Sequence, residues 1–390
     1  MQATKSYDRT KKSTRFNTFR LLISFVFICI VVLYMVHVSK RPFYNSDMLA
    51  YMAIPLQMKG LNQQQIQDSV YGIAQLHVPA KNFTDLTTLN QGRIERYHNY
   101  RLFYDYLRFF RLKPLYVLVI STFYKIGVNL VFATILPSLI FTGGLLLAVY
   151  FGVKKLFAGA IMPLFIGLVI MLLGFTNELA VLSSPDAMSS FFVFLLFLNI
   201  FFQGKEAVSY LLLALSVFTR IDNLTLFPFI LYYYRFDKVD MKSIFKGVAV
   251  MAVLSIIVLA VPYLFGNRFD WFKDFIFKPS MYVFMVKRSV GLMRTDFNLL
   301  FLLISVVVYL NLSHQKHLKK LFTGVIMILA TRFLLFPSYE ERFYFIFKLM
   351  LIFLFVAHFS YQWIRSKSTV WPNPNSLNKK NEVVANSYSV

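Results

Sequence analysis

The chain is poor in what a soluble protein depends on. Only 15% of its 390 residues are charged, and acids are scarcer than bases, 18 Asp and Glu against 41 Lys and Arg. Soluble domains carry about 25% charged residues, so a free-standing soluble fold is excluded. A single cysteine, Cys29, rules out an internal disulfide and leaves no paired-thiolate zinc site. The glycine-rich loops that cradle nucleotide phosphates are absent, as are the HExxH pattern of metalloproteases and the GxSxG elbow of serine hydrolases. The six histidines are scattered, with His314 and His317 in a basic turn.

What is present is apolar. Hydrophobic residues make up 57% of the chain and aromatics 18%. Runs long enough to cross a bilayer recur along it, which reads as an all-α, polytopic integral membrane protein of about ten transmembrane or partly inserted helices. The net charge of +23 would suggest nucleic acid in a soluble protein. Here the bases cluster between apolar runs, so the positive-inside bias and anionic headgroups account for them, and a nucleic-acid partner is set aside.

Residues 1–20 carry Lys5, Arg9, Lys11, Lys12, Arg15 and Arg20 against Asp8. That bias predicts a cytoplasmic N-terminus, with 21–39 a retained anchor running outward. Residues 41–113 then form a large first outer loop. Within it, 96–113 interleaves aromatics with arginine, as expected of a helix lying in the headgroup layer. Segment 114–128 is apolar but short and is read as partly inserted. Segments 131–153, 157–177 and 187–203 read as crossings. Residues 207–234 are interrupted at Thr219-Arg220-Ile221-Asp222-Asn223, the pattern of a broken helix. Crossings at 247–265, 297–312, 321–336 and 343–362 follow, with a second basic outer loop at 266–296 that includes Lys287 and Arg288. The domain reading is thus a basic N-terminus (1–20), a transmembrane domain (21–362) and a polar cytoplasmic tail (363–390).

This topology gathers ionisable groups on one face: Asp47, Glu178, Asp186, Glu340, Glu341 and Arg342 all fall at outer ends of spans. A carboxylate at the mouth of an apolar segment is costly unless paired, hydrated or used. Asp47 is therefore either a catalytic base or, with Ser46, the N-cap of a short surface helix. Arg220 and Asp222 can pair within their helix break. Arg332 can snorkel outward or meet Glu340 or Glu341. A base beside a cation cluster is the minimum kit for moving a sugar from a lipid phosphate: the base takes the acceptor's proton, and the cations hold the departing phosphate.

The stretch Asp47-x-x-x-Tyr51-x-Ala53-x-x-Leu56-x-x-x-Gly60 after the first span resembles the opening motif of the GT-C fold glycosyltransferases, the polyprenyl-phosphate-sugar-dependent enzymes that include protein mannosyltransferases and aminoarabinose transferases. Further likenesses follow in order: Lys113-Pro114-Leu115-Tyr116 with Gly127, Lys154-Lys155-Leu156-Phe157, Ser184-Pro185-Asp186-Ala187, Phe218-Thr219-Arg220-Ile221-Asp222, and Glu341-Arg342-Phe343-Tyr344. Together they cover roughly residues 15–362. The pattern departs at Met48, where the family often has a second acid, at Val117, and at Ile221.

The resemblance implies a GT-C-type bundle and an inverting glycosyltransferase with a polyprenyl-phosphate-linked sugar donor and a glycan, lipid or protein acceptor. It implies Asp47 as base and Asp186 as a second acid that orients the acceptor or a divalent metal. Mg or Mn would have to be held by Asp47 and Asp186 with water. The resemblance also implies Arg342 as a phosphate contact and Arg220 in a structural role; apart from the resemblance, the bases Lys287 and Arg288 of the second outer loop suit an anionic lipid-linked substrate, and Glu341, Tyr51 and Arg220 complete the candidate substrate or phosphate contacts. The expected location is a multi-pass membrane position, in a bacterial inner membrane or an endoplasmic reticulum, with both termini cytoplasmic. A flippase or transporter for a lipid-linked glycan, and a non-catalytic part of an envelope assembly complex, are the rival readings.

Overall fold

A computed structural model describes residues 2–235, individual helical positions between 242 and 260, and residues 279–293, 296–312, 315–335 and 340–369. Residues 266–278 of the expected second outer loop, much of the expected crossing 247–265, the turn at 336–339 and the tail beyond 369 lie outside the described residues. The described chain is helical, and its one β-type contact is an isolated parallel bridge between Phe43 and Leu182.

Helix α1 runs Gln2–Ser39. Its apolar part, Thr18–Ser39, is 22 residues long, and little of it is buried by protein. Leu21, Phe25 and Leu33 each expose more than 60% of their surface. A helix this apolar and this bare is suited to hydrocarbon rather than water. Two more helices, Leu130–Leu156 and Phe345–Trp363 within Phe345–Thr369, are also long and apolar enough to cross a membrane. Ile161–Leu172 and Gly174–Val181 make a fourth crossing if taken as one span. They meet at 65°, so the straight crossing expected over 157–177 is corrected to a bent pair. Leu173 is extended there, and its backbone N–H bonds back to Ile170. By length and composition the described residues hold three to four crossings, against an expectation of about ten transmembrane or partly inserted helices over the whole chain; Asp186–Phe201 and Glu206–Thr219 are apolar but shorter.

The first loop is folded. Helices α2 (Ser46–Gln57), α3 (Gln63–His77), α4 (Ala80–Thr88), α5 (Gln91–His98) and α6 (Tyr100–Tyr106) precede the partly buried α7 (Pro114–Lys125). The single interfacial helix expected over 96–113 is three pieces. Asn99 ends α5 and accepts the backbone N–H of Arg101 and Leu102 to start α6, and a short 3-10 turn, Leu107–Phe109, follows. An asparagine side chain that satisfies free N–H groups is a restart signal for a helix.

Helix α8 (Leu130–Leu156) is the hub, packing against α1, α7, α9 (Ile161–Leu172), α10 (Gly174–Val181) and α11 (Asp186–Phe201). One core fills the space between α1, α8, α9, α10 and α11 and the helices α12 (Glu206–Thr219), α13 (Phe227–Arg235), α15 (Asp296–Asn311), α16 (Lys316–Leu335) and α17 (Phe345–Thr369), while α14 (Pro279–Met293) contributes none of its described residues to it. A second core joins α2, α3, α6 and α7 to one end of α8. Phe27 is fully buried and stacks on Tyr150 with centroids 4.4 Å apart. A Cβ added at Gly167 would lie 2.7 Å from that ring. Gly167→Ala is therefore expected to destabilise the bundle by about 1–3 kcal/mol through overpacking, read as a lower midpoint of thermal unfolding in detergent.

Candidate functional site

The two acids that sequence reasoning puts first begin two helices. Asp47 lies in the first turn of α2, and Asp186 is the first residue of α11. A helix N-terminus favours a carboxylate, because its free N–H groups carry partial positive charge. The two starts are drawn together where Phe43 N–H bonds to Val181 O at 3.3 Å. Segment 182–184 is in turn tied to α8, with Ser138 Oγ donating to Leu182 O at 2.6 Å and Thr134 Oγ1 sharing a hydrogen bond with Ser183 Oγ.

The cap of α2 is Asn45, whose side chain accepts the Met48 backbone N–H. The reading of Asp47 and Ser46 as the cap is corrected accordingly. Asp47 is left with two long contacts. Its Oδ2 lies 3.8 Å from Nη1 of Arg342, and its Oδ1 lies 3.5 Å from the Tyr106 hydroxyl. The same Arg342 nitrogen lies 3.6 Å from Oδ2 of Asp186. One guanidinium nitrogen thus stands between two carboxylates that are far apart in sequence.

The two acids differ in how fully they are engaged. Asp186 is buried, accepts the Ser184 hydroxyl at 2.8 Å on Oδ2, and is gripped on Oδ1 by Arg220. Asp47 keeps 24% of its side chain exposed, and its contacts to Tyr106 and Arg342 are 3.5 Å and 3.8 Å long. Asp186 therefore works as a counter-ion, whereas Asp47 has lone pairs to spare.

Behind Asp186 the charges continue to alternate. Arg220, at the break after α12, also binds Asp222 at 2.8 Å, as the pairing expectation held. Asp222 then binds Arg332 of α16, so Arg332 turns inward rather than snorkelling or meeting Glu340. Arg332 is 4% exposed and also reaches Asn223 at 3.4 Å. Asn223 anchors the break to α11 through Ser189 Oγ at 2.8 Å. The break residues Ile221–Leu226 form a 3-10 turn. The irregular backbone is thus enclosed by protein, the condition under which it is tolerated in an apolar bundle.

A cavity of about 380 Å³ opens beside these groups, lined by Phe43, Asn45, Ser46, Asp47, Glu178, Leu182, Glu340 and Arg342. Glu340 grips Arg342 through Nε. Of the expected site residues, Asp47 and Arg342 line the cavity, and Asp186 and Arg220 support it from behind. Tyr51 is fully buried beneath. The Glu341 side chain lies outside the described residues. Lys287 and Arg288 do not join this group: they are exposed on α14 and absent from the cavity lining, and Arg288 lies over the ring of Phe284 at 5.1 Å. Bulk basic charge between apolar segments is no guide to which bases enter a cleft.

Sequence reasoning missed two members. Lys113 sits ahead of α7 and donates to the Tyr51 hydroxyl at 2.9 Å, with its ammonium 4.9 Å from the Phe110 ring centroid. Burial lowers its pKa to about 8, against the upward pull of Asp47. Tyr106 is the other: burial, then the negative charge of Asp47, pushes its hydroxyl up to about 12, so it remains a donor at neutral pH. The Arg and Tyr interleaving of 96–113 held the signal for Tyr106 but could not say which ring meets Asp47.

A divalent cation does not fit this donor set. Among the described residues no group of three or more His, Cys, Asp or Glu comes together, and both oxygens of Asp186 are already taken by arginines and Ser184. A hard cation needs several oxygen ligands free of competing positive charge. Asp47 and Asp186 as placed do not suit an Mg or Mn ion held between them with water.

The fold and the site together define an all-helical protein with bilayer-length apolar helices and a charged cleft at one end of the bundle. No protein-family model matches the chain, and no curated protein or solved structure matches it either.

Proposed function

We propose that the chain is a membrane-embedded, inverting glycosyltransferase of the GT-C type, using a polyprenyl-phosphate-linked sugar as donor on the non-cytoplasmic face of the membrane. One observation carries the reading: Asp47 and Asp186 lie within ion-pair reach of the same Arg342 nitrogen at the wall of a cavity large enough for a sugar. Small-molecule sites run from roughly 300 Å³ upward. In this reading Asp47 takes the proton of an acceptor hydroxyl as its oxygen attacks the anomeric carbon. The bond from that carbon to the phosphate oxygen breaks, the anomeric centre inverts, and polyprenyl phosphate leaves. It departs as an anion and needs cations rather than a general acid. Arg342 is suited to it, because its Nη1 contacts to both acids are longer than hydrogen bonds and can be exchanged for a phosphate oxygen. Arg220 and Lys113 reinforce the field from behind.

The test is direct. Membranes containing the overexpressed chain, supplied with polyprenyl-phosphate-linked labelled sugars, are expected to transfer label and release polyprenyl phosphate. No consumption of any such donor above control membranes would reject the reading, as would uptake of intact lipid-linked glycan across the membrane without bond cleavage.

Lys113 supplies a pH dependence with opposite signs in two measurements. It is charged below about pH 8 and neutral above it, so donor affinity is expected to weaken as pH rises through 8. Stability goes the other way. The folded pKa lies below the ordinary 10.5, so between about 8 and 10.5 the unfolded chain holds the extra proton, and the folded state gains as pH rises. Lys113→Met is expected to flatten both trends, checked by donor KM and thermal unfolding across pH 7–10.

A further inference from the structure

Tyr106 stands where the folded first loop meets Asp47, and the chemistry outlined above does not use it. Its ring is held from two directions. The Arg96 guanidinium lies 4.2 Å from the ring centroid, and Phe110 meets it edge-on at 4.9 Å. Arg96 is itself fixed. The buried Gln67 amide donates to the carbonyls of Arg96 at 2.7 Å and Tyr97 at 3.1 Å. Tyr97 packs against Tyr71 and Phe83. The hydroxyl so placed lies 3.5 Å from Oδ1 of Asp47, with the Ser46 side chain as a second partner, while Arg342 addresses Oδ2. A carboxylate contacted on one oxygen from α6 and on the other from the 3-10 turn Glu341–Phe343 has its plane defined from both sides.

We infer that Tyr106 is a positioning residue that orients the Asp47 carboxylate toward the cavity, and that the small helices of the first loop fold so as to deliver it. The inference rests on Asp47 being the base. Contacts of this kind are often long without substrate and tighten in the reacting complex. The other titratable and charged groups around Asp47 are Arg342 with Glu340 and Asp186, Lys113 ahead of α7, Tyr51 of α2, Tyr116 of α7, and Glu178 across the cavity on α10. All of them are untouched by a change at Tyr106.

Tyr106→Phe keeps the ring and removes only the donor. A hydrogen bond to a charged group is worth roughly a tenfold to hundredfold factor. The variant is therefore expected to lose about tenfold or more in kcat with donor KM unchanged. The acidic limb of its pH–rate profile should move to higher pH, because a carboxylate that loses a donor is harder to ionise. Arg96→Gln, which frees the ring without removing the hydroxyl, is expected to move kcat in the same direction by less. A Tyr106→Phe protein with wild-type kcat and pH profile, assayed beside an inactive Asp47→Asn, overturns the inference and leaves the base reading standing. A fall in kcat with no movement of the acidic limb overturns it too, since that marks a packing defect. An active Asp47→Asn overturns the base reading and the positioning role with it.

Discussion

Asp47→Asn is expected to lower transfer by roughly a hundredfold to ten-thousandfold, the usual worth of a positioned general base, while the protein inserts and folds as before. Both halves of this expectation come from the same geometry. Asparagine matches aspartate in shape and cannot accept the proton. The cap of α2 is supplied by Asn45, so the helix does not depend on residue 47 for its start. The ion pair with Arg342 is 3.8 Å long and partly exposed, and such pairs contribute little to stability. Arg342 also retains Glu340 and Asp186 after the change. Transfer assayed in membranes, with thermal unfolding in detergent as the control, checks the result. Near-normal transfer would end the assignment of Asp47.

The second large effect falls on stability. Asp222 is 9% exposed and shared by Arg220 and Arg332. Asp222→Ala removes the acid that separates two arginines, one of them 4% exposed. Removing one partner of a buried pair costs about 3–5 kcal/mol, because the charge left behind has neither water nor counter-ion. The variant is expected to unfold well below the wild type or to fail to accumulate. The surface pair of Arg108 and Asp105, with side chains 43% and 56% exposed, provides the contrast. Asp105→Ala is expected to change stability by no more than about 1 kcal/mol. Equal losses at the two positions would show that Asp222 is not held in a dry, paired environment.

Much of this arrangement was legible in the residues, for identifiable reasons. Asp47 stood out because a lone acid beside a long apolar run has few inexpensive fates. The break at Thr219–Asn223 stood out because charges interrupt an apolar stretch, and the structure forms its 3-10 turn there. The bend between α9 and α10 is not legible in the sequence, since residues 157–175 carry no polar side chain and only Gly174 marks the place. The partner of Arg332 was misplaced among the nearby glutamates. Sequence distance favours neighbours, whereas burial selected an acid on another element that could satisfy two guanidinium groups. Lys287 and Arg288 were drawn in by charge density alone. The role of Asn99 follows from its side chain, which serves as a cap between two short helices, a signal that the aromatic and basic pattern of 96–113 obscured. Pairings across the bundle, which decide the site, leave no local periodicity to detect.

The alternating series of acids and guanidinium groups bears on biosynthesis. Its members come from α2, α11, the break after α12, α16 and the turn before α17. During synthesis the early helices must therefore wait, with Asp47 and Asp186 lacking their shared arginine, until almost the last apolar segment has emerged. A nascent or prematurely ended chain can contain Asp47, Asp186 and Asp222 and still lack the guanidinium that joins the first two.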